Sequence, residues 1–67
     1  MIVHVEGIVI DHGSTVGVGY GHDEAGRFIE FGGDRRSMQA LQGALAEGEY
    51  PTAEIEPWQV LTATHDR

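Results

Sequence analysis

Apolar and polar residues alternate over most of the chain, which is the pattern of half-buried β-strands. In the first strand, Val3 and Val5 share one parity, whereas Ile8 and Ile10 share the other. One extra residue at Gly7, in a β-bulge, would return all four side chains to one face and bend the strand sharply. The first strand is therefore predicted to turn a corner, as a barrel strand does.

The second strand carries glycine at every other position, so that Gly17, Gly19 and Gly21 share one face and larger side chains occupy the other. A face without side chains permits strong coiling of the sheet or the close approach of another group. Coiling of a small barrel is the simpler interpretation, and a ligand platform is the alternative. The segment 23–26 then predicts a tight hairpin, because its glycine suits a left-handed turn position.

One segment changes from the strand period to the helical period. Asp34 is a good N-cap, and Met38, Leu41 and Leu45 follow at helical spacing. A helix is predicted over residues 35–47. Its apolar stripe is narrow, so packing against the sheet must hold it in place.

The order of elements is three strands, one helix and two strands, within a single domain of residues 1–67. The predicted strands span residues 2–11, 15–22, 27–32, 52–56 and 58–64. This order is that of the OB fold, a small five-stranded Greek-key barrel. The predicted fold class is therefore mainly β, a five-stranded antiparallel barrel with one helix between strands three and four, and an SH3-like barrel is the alternative.

The single tryptophan, Trp58, follows Pro57 at the start of the fifth strand. A large ring at this position can close a small barrel against Leu41 or Leu45, or it can anchor an interface. The core position is the prediction.

A chain of 67 residues hides only about 60% of the surface that its unfolded form would expose, so the core must be small. Because the sequence has no cysteine, neither disulfides nor a cysteine-based metal site can add stability. Formation of a homo-oligomer is one way to supply the stability that such a small core lacks.

Charge narrows the choice of partner. Eleven acidic residues face four basic ones, all arginine, for a formal net charge of −7. Proteins that bind phosphate backbones rest their affinity on Lys and Arg, so this balance favours a basic protein surface as partner. The alternative is that the acidic surface serves solubility alone. The candidate partner-binding residues are Asp23, Glu24, Glu47, Glu49, Glu54 and Glu56.

No apolar run approaches the roughly 18 residues of a membrane span, and Met1 leads directly into a strand-like pattern. The sequence therefore predicts a soluble, cytoplasmic protein without a membrane partner.

Several short motifs resemble the cold-shock domain, a family of OB-fold proteins. They open the first strand, fill the second and third strands, and precede the fourth. The matching segments are Gly7-Ile8-Val9, Gly17-Val18-Gly19-Tyr20, Phe28-Ile29-Glu30-Phe31 and Leu45-Ala46-Glu47-Gly48-Glu49.

The resemblance implies single-stranded nucleic acid as an alternative partner, with bases stacked on the rings of Tyr20 and Phe28 and with His12 and His22 nearby. Val18 and Glu30 stand where the family places aromatic or histidine side chains, and the family's lysines are absent. Since each stacked base contributes only about 1 to 3 kcal/mol, such a platform is expected to bind weakly.

Catalytic and metal-binding chemistry finds little support. Asp11, His12 and Ser14 are triad-type residues, but triads draw their members from separated parts of a chain, and turn formation explains these residues more simply. The four histidines show no known metal-ligand spacing. They are His4, His12, His22 and His65. No enzyme activity, metal or cofactor is therefore expected.

The function predicted from these patterns is a non-catalytic binding or regulatory module whose acidic face docks on a basic protein surface, for example one that also binds nucleic acid. Weak single-strand binding by a cold-shock-like protein is the alternative. The sequence leaves open the identity of the partner, the oligomeric state and the choice between OB-like and SH3-like topology.

Overall fold

A computed structural model describes residues 1–65 of the chain, and it forms one five-stranded antiparallel sheet with a single α-helix. The elements in chain order are β1 (Ile2–Val9), β2 (Val16–Asp23), β3 (Arg27–Asp34), α1 (Arg35–Ala46), β4 (Thr52–Glu54) and β5 (Val60–His65). The strand order is β4-β1-β2-β3-β5. The predicted class, mainly β with one helix between the third and fourth strands, is confirmed.

The sheet is open, so the prediction of a closed barrel is wrong. Closure would need β4 to pair with β5, and no such pairing occurs within residues 1–65. The strand predicted over 52–56 has only three residues, and a 3₁₀ turn, Pro57–Gln59, occupies the start of the strand predicted over 58–64. Because β4 is so short and the turn leads the chain away from it, β4 and β5 remain at opposite edges.

A β-bulge lies in the first strand as predicted, but the extra residue is Glu6 and not Gly7. The register between β1 and β2 shifts between Val5 and Gly7. Val3 and Val5 are buried, and Ile8 and Ile10 pack against the same core. The bulge therefore keeps both halves of β1 facing inward despite the change of parity.

The glycine face of β2 lies on the inner side of the sheet, where other parts of the chain fill the space. A Cβ atom at Gly19 would overlap the ring of Phe31, and one at Gly21 would overlap the backbone carbonyl of His4. Close approach of ring and backbone therefore accounts for the missing side chains, and no space for a ligand remains there.

Helix α1 begins at a specific cap and covers the inner face of the sheet. The Asp34 carboxylate accepts hydrogen bonds from the Ser37 backbone N–H at 3.1 Å and from the Ser37 hydroxyl at 2.7 Å. Met38 is buried against β1, β2 and β3, and Gly48 ends the helix with φ +81°. Within residues 1–65, no helix has the length and apolar character that a membrane crossing requires.

Arg35 ties the start of α1 to the loop between β1 and β2. Its guanidinium group donates to the carbonyl oxygens of Asp11 at 3.1 Å and Ser14 at 2.7 Å, and its backbone N–H donates to Thr15 at 2.9 Å. A cation in the first helical turn is unfavourable for the helix dipole, and these carbonyl bonds offset that cost.

Candidate functional site

The face of the sheet opposite the helix is bare, and its register brings apolar side chains together. Val9 lies opposite Val18, and Val18 lies opposite Gly32 on the next strand. An open groove of about 530 Å³ crosses this face. We call this surface the apolar sheet face; it consists of Val9, Val16, Val18, Tyr20, Trp58 and Leu61.

Trp58 lies on this surface, so its predicted core position is wrong. The ring is 80% exposed. The 3₁₀ turn is fixed by Gln59, whose side-chain oxygen accepts from the Glu56 N–H and whose side-chain nitrogen donates to the Gly32 carbonyl, both at 2.9 Å. Because Gln59 turns toward the sheet, Trp58 is directed outward.

The predicted base-stacking residues do meet, at the other end of the bare face. The rings of Tyr20 and Phe28 have centroids 6.2 Å apart, and the His22 ring stands edge-on to Phe28 at 5.8 Å. Carboxylates border this cluster, since Glu6 lies 2.5 Å from His22 Nδ1 and Glu30 is paired with Tyr20 across the sheet. A platform for nucleic acid would therefore place phosphates beside negative charge.

His12, the fourth candidate for nucleic-acid contact, does not join the ring cluster. It lies in the loop between β1 and β2, at the start of β2, whereas His22 lies near the end of that strand. The two histidines therefore lie toward opposite ends of β2, and they do not form one compact base-binding surface.

The structure divides the predicted acidic residues by role. The Asp23 carboxylate accepts from the backbone N–H groups of Ala25 at 3.0 Å and Arg27 at 2.9 Å and from Arg27 Nε at 2.8 Å. The backbone hydrogen bond from Arg27 is the main cause that lowers the pKa of Asp23. Its side chain, 8% exposed, therefore holds the hairpin together, while Glu24 stands exposed at the hairpin tip.

The remaining acidic residues surround the edge of the sheet where α1 ends and β4 begins. Glu47 and Glu49 flank the glycine that ends the helix, Glu54 lies on β4, and Glu56 precedes the 3₁₀ turn. The Glu54 carboxylate lies 3.1 Å from the Met1 amino group. All four glutamates are exposed.

A pocket of about 250 Å³ lies beside one of these residues, Glu49, and we call it the acidic pocket. It is lined by Val5, Glu6, Leu45, Gly48, Glu49 and Tyr50. Val5 and Leu45 are its least exposed side chains, whereas Glu6, Glu49 and Tyr50 are exposed, Tyr50 by 94%. The lining thus combines two apolar side chains, two acidic residues and an aromatic ring, and the Glu6 carboxylate also contacts His22.

Sequence reasoning missed Glu6 and Tyr50. Glu6 is the extra residue of the bulge, so regular strand alternation does not set the direction of its side chain. The predicted bulge was therefore a usable signal for Glu6. Tyr50 gives no periodic signal, because the segment between α1 and β4 is irregular.

The residues considered for catalysis and metal binding lie apart or serve the fold. The Ser14 hydroxyl accepts from the Val16 N–H at 3.2 Å, and the Ser14 N–H donates to the Asp11 carbonyl at 3.0 Å, so both residues shape a turn. His4 is paired with His22 across β1 and β2. Among the described residues, no three His, Asp or Glu side chains form a group that could hold a metal ion.

Comparison with known proteins gave no match to a family model, to a curated protein or to a solved structure.

Proposed function

We propose that this protein is a non-catalytic binding module that docks on a basic protein surface by taking a lysine or arginine side chain into the acidic pocket. The observation that carries the proposal is the composition of that pocket, which joins the less exposed Val5 and Leu45 to the exposed Glu6, Glu49 and Tyr50. Each part matches a different part of a basic side chain.

The match follows from the chemistry of Lys and Arg. Both side chains bury an apolar stem along apolar surface while the charged end remains near water. Val5 and Leu45 suit the stem. The Glu49 carboxylate suits the charged end, and Glu6, whose carboxylate lies 2.5 Å from His22 Nδ1, adds negative charge nearby. A cation over the face of an exposed ring such as Tyr50 adds about 0.5 to 1 kcal/mol.

The other exposed glutamates support encounter with such a partner. Glu47, Glu54 and Glu56 lie near the same edge of the sheet, and the whole chain has a net charge of −7. Charges at the rim of an interface mainly raise the association rate and add little to the contact energy. We therefore expect their replacement to slow association and to leave dissociation nearly unchanged.

The test is a titration of a fluorescently labelled octalysine peptide, followed by anisotropy, with the wild type and two charge-reversal variants. Glu49→Lys removes a carboxylate from the pocket, whereas Asp11→Lys makes the same change of charge in the β1–β2 loop. Glu49→Lys should weaken binding by about tenfold, the loss of one well-placed charge contact. Asp11→Lys should have a much smaller effect.

Equal losses in the two variants would show that the peptide responds to net charge alone, and the proposed pocket would be wrong. Tyr50→Ala provides an independent check, because this exposed ring has no packing role and its loss should weaken binding about two- to fivefold through the lost cation–π contact.

Single-stranded nucleic acid is the second candidate, and the grouping of Tyr20, His22 and Phe28 on one face favours it. The measurement is anisotropy of labelled single-stranded RNA and DNA at low salt. Tyr20→Ala should eliminate binding if the rings stack on bases, whereas Tyr50→Ala, the same change outside the cluster, should not. Absence of binding by the wild type would retire this candidate.

A further inference from the structure

The apolar sheet face is exposed over most of its area. The exposed fractions are 80% for Trp58, 61% for Leu61 and 58% each for Val9 and Val16. Large apolar side chains grouped on one surface of a small protein mark an interaction site. We infer that a second copy of this chain covers this face, so that the protein is a symmetric dimer joined sheet to sheet.

The small core gives a physical reason for a dimer. The buried hydrophobic side chains within residues 1–65 are Val3, Val5, Ile29, Phe31, Met38 and Ile55. They all lie between the sheet and the helix or β4, so the other face adds nothing to this core. Self-association is one of the ways in which a domain of this size without cysteine can gain stability.

The available area is sufficient for a dimer. With the usual full areas of large side chains, the exposed fractions on this face correspond to roughly 600 Å² of mainly apolar surface per copy. A stable interface buries about 800 Å² per partner, including its polar rim. The neighbouring Glu30 and Thr62 can supply polar area at its border, and the half-buried Phe28 adds further apolar surface.

The face also has the shape that a two-fold interface requires. Trp58, which is 80% exposed, forms one wall of a groove of about 530 Å³ whose other lining residues include Val16, Val18, Gly32 and Leu61. In a two-fold dimer the same patch meets itself, so a projection and a recess within one patch can fill each other. We place the Trp58 ring of each copy in the groove of the other.

Charge on this face permits close contact between copies. Among the described residues that line the groove, Asp34 alone is charged, and its carboxylate already accepts from Ser37. The net charge of −7 on each chain still opposes association at a distance. Added salt screens this repulsion, so the dimer should become tighter as ionic strength rises.

The test is sedimentation equilibrium of the full chain from low micromolar to millimolar concentration, at low and moderate salt. The wild type should show twice the mass of one chain, and its dimer should dissociate on dilution. Leu61→Glu should weaken dimerisation by about tenfold or more, as expected at the centre of an interface. Gln42→Glu adds the same charge on the exposed side of α1 and should leave dimerisation unchanged.

Two further measurements keep the inference testable if Leu61→Glu folds poorly. Val16→Thr is nearly isosteric, suits a strand and should also weaken the dimer. Trp58 is the only tryptophan, so its emission should move to shorter wavelength as concentration rises. A monomer at all concentrations, or a dimer that neither variant weakens, would overturn the inference.

Discussion

The inner face of β2 requires glycine because other parts of the chain lie too close to it for a side chain. At Gly21, a methyl group would overlap the backbone carbonyl of His4, which cannot move aside as a flexible side chain can. Gly21→Ala should therefore lower the free energy of unfolding by about 3 kcal/mol or more, at the upper end of overpacking effects. Urea denaturation of the variant measures this change, and an unaltered midpoint would show that the strands are not so closely apposed.

Asp34 gives the stability a predictable dependence on pH. The hydrogen bond from the Ser37 hydroxyl is the main cause that lowers the pKa of Asp34 below its ordinary value of 3.8. Folding therefore favours the ionised carboxylate, whose contribution is present above pH 3.8 and is lost as the pH falls through the lower pKa of the folded state.

Ser37→Ala should therefore raise the pKa of Asp34 toward 3.8 and should lower the melting temperature at neutral pH. The difference from the wild type should shrink in acid, where Asp34 is protonated in both proteins. An NMR titration of the carboxyl group and melting curves across acid pH check the two effects. An unchanged pKa in the variant would contradict the described cap.

At the scale of elements, helix α1 contains a residue that weakens it. Gly43 lies in the helix interior, and a Cβ atom there would meet open space. Gly43→Ala should therefore raise the free energy of unfolding by about 1 kcal/mol, the difference in helix propensity. The same substitution thus has opposite signs at Gly21 and Gly43, and urea denaturation of both variants in parallel checks that contrast.

The elements that the sequence predicted well are those with a local signal. Alternating side chains located β1 to β3, the parity change located the bulge, and Asp34 with its following apolar residues located the helix. These patterns depend on neighbours in the chain, so they can be interpreted without knowing the tertiary structure.

The predictions that failed depended on long-range geometry. Closure of the barrel required contact between β4 and β5, and the core position of Trp58 required a strand where Pro57 instead begins a 3₁₀ turn. The acidic pocket joins Glu6 to Glu49 and Tyr50, which are more than forty positions apart. No sequence periodicity relates residues so far apart in the chain, so only the tertiary fold brings them together.

At the scale of the whole molecule, the two proposed surfaces respond to salt in opposite directions. Binding of octalysine to the acidic pocket rests on opposite charges, so higher ionic strength should weaken it. Dimerisation through the apolar sheet face brings two negative chains together, so higher ionic strength should strengthen it. Measuring both affinities in the same buffers separates the two proposals. If higher ionic strength changes both affinities in the same direction, one of the proposals is wrong.

The most direct test of the proposed acidic pocket is to map by NMR where a basic peptide, octalysine, binds on the protein. Amide shifts are followed as unlabelled octalysine is added to the ¹⁵N-labelled chain. The account predicts saturable shifts at Glu6 and at residues 45–50, around the acidic pocket, with small changes in the β1–β2 loop. Shifts spread evenly over all acidic residues, or centred on Tyr20 and Phe28, would contradict it.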